Sequence, residues 1–176
     1  MTLEPRYCGR FSYMSQDAVP GFGWIDEAEA RVRYADPHAD LTVIAPAGAD
    51  GFAPWFINVK TGPEPGFMVV EQIAPGVPSE ETDWEFADGQ LFCWRVQLNR
   101  WPETSRILSR NTSFRVGYTE FRNGRDGNGQ VVHAERGGSG KMETSVGQRK
   151  DIPVEMCYRS IPEWGRFDEL LGPPSE

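Results

Sequence analysis

A chain of 176 residues with 39% hydrophobic and 25% charged side chains has room for one domain with a real core, and it lacks the composition of a disordered chain. Its formal net charge of −8 argues against nucleic acid or an anionic membrane surface as the main partner, because both attract basic proteins. With 19 glycines, 14 prolines and 12% aromatic residues, the chain reads as many short elements joined by tight turns, which favours β structure over a helical bundle.

The N-terminal MTLEPRYCGRF carries no apolar signal region, and no run approaches a membrane-spanning length, so a cytoplasmic setting is expected. Pro20, Gly21 and Gly23 interrupt regular structure up to Trp24. The alternation in EARVRYA (29–35) predicts a strand, DPHAD a turn, and LTVIAPA (41–47) a second strand, together an early hairpin. In PWFINVK, Trp55, Ile57 and Val59 fall on one strand face, with Asn58 and Lys60 on the other. TGPEPG is a loop, and FMVVEQI (67–73) is a strand apolar enough to be covered on both sides.

The strongest hairpin signal is TDWEFADGQLFCWRVQLNRW, where Asp88-Gly89 suits a two-residue turn. Phe92, Trp94, Val96 and Leu98 alternate with Cys93, Arg95 and Gln97, and acids at 83 and 85 are placed to face arginines across strands. ETSRILSR (103–110) suits a short helical turn. SFRVGYTEFR, with Phe114, Val116 and Tyr118 alternating, and QVVHAER are two further strands. At the C-terminus, SIPEWGRFDELLGPP predicts a helix. Ser160 and Glu163 have capping-box spacing, Pro162 lies in the first turn, and Trp164, Phe167, Leu170 and Leu171 form one stripe before Gly172 and two prolines. The expected fold is therefore mainly β with a C-terminal helix, as one antiparallel sheet or two packed sheets built from hairpins, in a single domain over 1–176.

Charge is uneven. Residues 1–94 carry 15 acids and 5 bases, whereas 95–125 carry 7 arginines and 2 acids. Three lysines against 15 arginines point to a GC-rich bacterial genome. Cys8, Cys93 and Cys157 are odd in number and widely spaced, so buried free thiols are expected in place of a disulfide framework.

Residues 122–142, RNGRDGNGQVVHAERGGSGKM, hold six glycines. A P-loop fails because Glu135 and Met142 occupy two of its fixed positions, and the dinucleotide fingerprint fails at Val132. A nucleophile elbow fails at Lys141, and a calcium loop fails at Val131 and Gly137. What remains is a hairpin tip, RNGRDGNGQ, and a second flexible loop, GGSGK. Together they suggest recognition loops offering Arg125, Asp126, Asn128, Glu135, Arg136 and Lys141 to a partner. His38 and His133 have no Cys or His neighbour at metal-ligand spacing, so neither metal nor cofactor is expected. Asp83 and Glu85 share one strand face, as a glycosidase pair could, although arginine pairing accounts for them more simply. Core packing accounts for most of the six tryptophans, with Trp55 and Trp101 expected to be partly exposed. This profile suits a protein-binding module or inhibitor better than an enzyme.

Over its whole length the chain resembles the immunity factors, or antitoxins, of tuberculosis necrotizing toxins. The likeness lies in RYCGRFSY, GFGWIDEAEARVRYAD, WFINVK and LFCWRVQLNRW. The resemblance implies a non-enzymatic, cofactor-free cytosolic protein that binds the catalytic domain of a secreted NAD glycohydrolase toxin one to one and blocks its NAD site. It implies no contact map, so the six loop residues above are the toxin-binding candidates, with the acidic block at 80–88 second. Two other functions remain open on the sequence, a small-molecule carrier built as an aromatic-lined β-barrel and a hydrolase using strand carboxylates.

Overall fold

The computed structural model describes residues 4–36, 38–60, 65–102 and 115–172. The helical turn expected over 103–110, Phe114 and most of the 61–66 loop lie outside these residues.

The chain opens with four short strands, β1 (Arg6–Cys8), β2 (Phe11–Ser12), β3 (Asp17–Ala18) and β4 (Trp24–Ile25), followed by helix α1 (Glu27–Ala35). A long meander follows: β5 (Leu41–Ile44), β6 (Trp55–Lys60), β7 (Gly66–Ala74), β8 (Val77–Ala87), β9 (Gln90–Arg100), β10 (Gly117–Asn123), β11 (Gly129–Arg136) and β12 (Met142–Arg149). β13 (Tyr158–Arg159) is last and pairs with β9. All but β2 and β3 join one 11-stranded antiparallel sheet in the order β12-β11-β10-β9-β8-β7-β6-β5-β1-β4, while β2 and β3 form a separate ribbon.

One face of the sheet, here the helical face, buries Leu41, Val43, Ile57, Phe67, Val69, Trp84 and Val96 under α1 and the segment from Trp164 to Leu171. The opposite face buries Ile44, Phe56 and Val70 beneath Phe11 and Tyr13. Farther along, Phe92 packs against Ile152 and Cys157. β5 to β9 are thus covered on both sides, which accounts for the near-continuous apolar run of β7. Cys8, Cys93 and Cys157 are free and buried. Burial pushes the Cys93 thiol up to about 12 and the Cys8 thiol up to about 11, so both stay protonated and inert at neutral pH.

Two expected elements are corrected. EARVRYA is not a strand but most of α1. The Asp26 side chain accepts the Glu29 N–H at 2.8 Å as N-cap, and Glu27–Arg31 and Glu29–Arg33 pair at i,i+4. Ala30 and Tyr34 face the core while Val32 is 70% exposed, so what looked like alternation is one helical stripe beside an exposed valine. No early hairpin forms, and β5 pairs instead with β1 and β6.

The C-terminal helix is also absent. Only Phe167–Leu170 coils, as one 3-10 turn. Gly165 sits at φ 89° in the middle of the expected helix, a left-handed conformation that interrupts it. Tertiary bonds replace the helical ones. Tyr34 donates to the Pro162 carbonyl, Arg159 to the Glu169 carbonyl, and the Gly172 N–H to Glu71. Trp164, Phe167, Leu170 and Leu171 still reach the core, so the stripe identified buried residues but not the element carrying them.

The Asp88-Gly89 hairpin forms as expected, with both turn residues at positive φ, 52° and 78°. The alternation of β9 breaks, however. Asp83 pairs with Arg95 and Trp84 with Cys93, so Trp94 is an extra, bulged residue. Phe92 consequently faces away from Val96 and Leu98, and Trp94 packs near Phe92. The bulge also brings Arg95 beside Asp83.

Candidate protein-binding surface

The last three strands of the meander form a wing, with β12 at the edge of the sheet. Residues 143 to 148 of β12 are all exposed, and β11 exposes His133, Glu135 and Arg136. The wing is held by its ladders, by Phe121 on the helical face, and by Val132 and Ala134 on the opposite face.

All six sequence-derived candidates lie on the wing, and all are exposed. They do not form one site. β11 runs 8 residues between its two turns. At about 3.3 Å per residue that separates the turns by roughly 25 Å. Arg125, Asp126 and Asn128 occupy one end, and Glu135, Arg136 and Lys141 the other.

The first turn is tied down. Asp126 accepts the Asn128 backbone N–H at 3.0 Å and its side-chain amide at 2.8 Å, which holds the Asp126 carboxyl below its usual range. The Ile152 N–H bonds the Gly127 carbonyl, docking the turn on the segment that follows β12. Arg125 reaches back to Glu85 at 2.7 Å. Opposite-charge pairing therefore accounts for Glu85, as it does for Asp83.

The second turn projects. Its backbone closes on itself through Gly137 N–H to the Lys141 carbonyl and Gly140 N–H to the Gly137 carbonyl, both at 2.9 Å. Arg136 donates to the carbonyls of Gly140 and Arg115, and Glu135 pairs with Arg100 at 2.8 Å. The Lys141 side chain stands out from these contacts. His133 meets the Thr119 hydroxyl at 3.1 Å on an exposed face.

The pairing of Asp83 with an arginine across strands was expected, but the wider network it belongs to and a groove at the far edge were not. Where the wing joins the body, a polar network lies on the opposite face. Arg95 donates to Asp83 at 2.6 Å, Glu120 at 2.9 Å and Gln97 at 2.7 Å. Gln97 and Asn99 donate to Glu81, and Arg122 donates to Glu120. Burial raises the pKa of Glu120, but the bonds from Arg95 and Arg122 outweigh it and hold the carboxyl below its ordinary value. Cross-strand register alone aligns these residues, and the bulge that shifts it leaves no sequence signal.

At the far edge, a groove of about 590 Å³ is lined by Arg6, Tyr7, Trp24, Glu27, Arg31 and Trp164 among others. Arg6 stacks on Trp24 at 4.6 Å and Arg31 on Trp164 at 5.2 Å. Trp24 is 43% exposed and Trp84 is buried, whereas Trp55 and Trp101 are half-buried as expected.

The described strands follow an open path from β4 to β12 without closing into a barrel, and the aromatics pack in clusters instead of lining a lumen. Among the described residues, no three metal-ligating side chains come together, and no helix is long and apolar enough to cross a membrane. No protein-family model, curated protein or solved structure matches the chain.

Proposed function

We propose that this chain is an antitoxin, an immunity protein that binds the catalytic domain of an NAD glycohydrolase toxin one to one in the cytosol. It would block the toxin's NAD site and so protect the producing bacterium. The observation that carries the reading is the wing, which exposes a turn, an edge and charged side chains on β11 and β12, strands that bury little beyond Val132 and Ala134. Tight inhibition of an enzyme cleft calls for a protruding element on a rigid support. The turn at 137–141 fits that requirement, whereas the turn at 124–128 is held against the body. Arg136 and Lys141 would offer cations to cleft carboxylates, with Glu135 beside them. The acidic block at 80–88 offers less, because Asp83 is buried against Arg95, Glu81 accepts from Gln97 and Asn99, and Glu85 pairs with Arg125, which leaves Asp88 as its exposed acid. The chain carries this function without catalytic residues of its own.

The test is NAD hydrolysis by the toxin domain as this protein is titrated in. Activity should vanish at one equivalent, and a variant with 137–141 cut to a two-residue turn should fold but inhibit poorly. Undiminished hydrolysis at large excess of the unaltered protein would remove the antitoxin reading.

A further inference from the structure

β12 ends the sheet, and its outer edge is paired with nothing among the described residues. The Gly137 N–H bonds the Lys141 carbonyl, and the register continues through Glu135↔Glu143, His133↔Ser145, Val131↔Gly147 and Gly129↔Arg149. In an antiparallel ladder alternate residues bond the same neighbour, so these odd-numbered residues of β12 bond β11. Met142, Thr144, Val146 and Gln148 therefore turn their N–H and C=O groups outward. Such an edge is a template for strand addition, which native proteins usually blunt with a bulge, a proline or inward charge. β12 has no proline, its pairing with β11 shows no register shift, and Val146 is 58% exposed.

The side chains select an occupant. The helical face of β12, with the residue before it, reads Lys141, Glu143, Ser145, Gly147, Arg149. Read against its own reverse about Val146, Glu143 meets Arg149 on both sides of the axis. On the other face Val146 meets Val146 and Thr144 meets Gln148. Moving the axis by one residue destroys this match. Centred on Ser145, Lys141 meets Arg149. Centred on Gly147, Arg149 meets Ser145 and the opposite-charge pair is lost. Like charges directly opposite each other destabilise a pair, so one register is favoured over its neighbours.

We propose that β12 is a self-association edge, on which a second copy of this chain adds its own β12 antiparallel about a two-fold axis at Val146. The outward groups of Thr144, Val146 and Gln148 exchange about six backbone hydrogen bonds across the axis. The Glu143–Arg149 pairs set the register once the Arg149 guanidinium, which in the free chain reaches inward to Asn123 at 3.5 Å and over Phe121 at 5.4 Å, swings to the edge, and each copy's 137–141 turn lies beside the partner's strand end. This needs no toxin, so it stands or falls separately from the antitoxin reading.

The experiment is sedimentation velocity on the purified chain alone, over a roughly hundredfold range of concentration. The mass should rise from monomer toward dimer. Glu143→Arg sets arginine against Arg149 of the second copy, and Arg149→Glu sets glutamate against Glu143. Each variant alone should weaken the dimer by roughly tenfold or more. An equal mixture of the two variants should recover it, because every opposed pair is then again of opposite sign. Arg149 also lies over Phe121 at 5.4 Å, so circular dichroism checks both folds. If either is disturbed, Val146→Lys at the exposed axis position takes its place and should also abolish the dimer. A monomer at every concentration overturns the proposal, as does a dimer indifferent to these changes or a mixture that fails to reassociate.

Discussion

The body of the sheet and its wing use the same meander and differ in what holds them. In β5 to β9 both faces are covered, and Trp84, Phe56, Phe67 and Phe92 are almost fully enclosed. In β11 and β12 the ladders are as regular, but β12 encloses nothing between 143 and 148. The hydrophobic effect determines the body, whereas turn chemistry and strand pairing determine the wing. A surface whose side chains are not committed to the core is free to be committed to a partner.

The largest effect that would sharpen this contrast is in the body. Trp84→Ala should lose about 3–5 kcal/mol in urea unfolding, whereas Val146→Ala should change stability by less than about 0.5 kcal/mol. Equal losses at the two positions would erase the distinction. Next is the junction, where Arg95→Met leaves Asp83 and Glu120 as buried carboxylates without their shared cation. It should cost about 3 kcal/mol by the same measurement.

The junction also responds to acid. The folded pKa of Glu120 is below its unfolded value, so its contribution is complete above the ordinary carboxylate pKa and is lost as pH falls through the folded one. The stability gap between the native chain and Glu120→Gln should therefore be widest at neutral pH and close on acidification. A gap independent of pH would mean that Glu120 stabilises by packing alone. Smaller still, Gly89→Ala at φ 78° and Asp26→Ala at the α1 cap should each cost about 1 kcal/mol in thermal unfolding.

Much of the wing was legible because its information is local. The glycine turns carry their own dihedral requirements, as Asp88-Gly89 does in the body, and β10 and β11 alternate plainly, whereas β12 was not anticipated. The body was harder wherever distant contacts decide. EARVRYA alternates like a strand, yet its cap at Asp26 and its i,i+4 charge pairs were also in the sequence and outweigh the alternation. The C-terminal stripe fits a helix until Gly165 takes a left-handed conformation and long-range bonds from Tyr34 and Glu71 replace the helical ones. The six loop candidates were found by residue type, but their split between two ends of β11 depends on where its turns fall. The Arg95 network depends on a bulge, and the Arg6–Trp24 stack on a pairing between β1 and β4 that strands of three and two residues do not announce.

Hydrogen exchange on the chain, alone and mixed with the toxin domain, tests the division of labour most directly. At concentrations that keep free protein monomeric, amides of β6 to β9 should exchange slowly in both samples, and those of the 137–141 turn should gain protection only with toxin. Protection confined to the Arg6–Trp24–Trp164 groove or to the body, with the wing unchanged, would contradict the account and move the partner surface to the other end of the sheet.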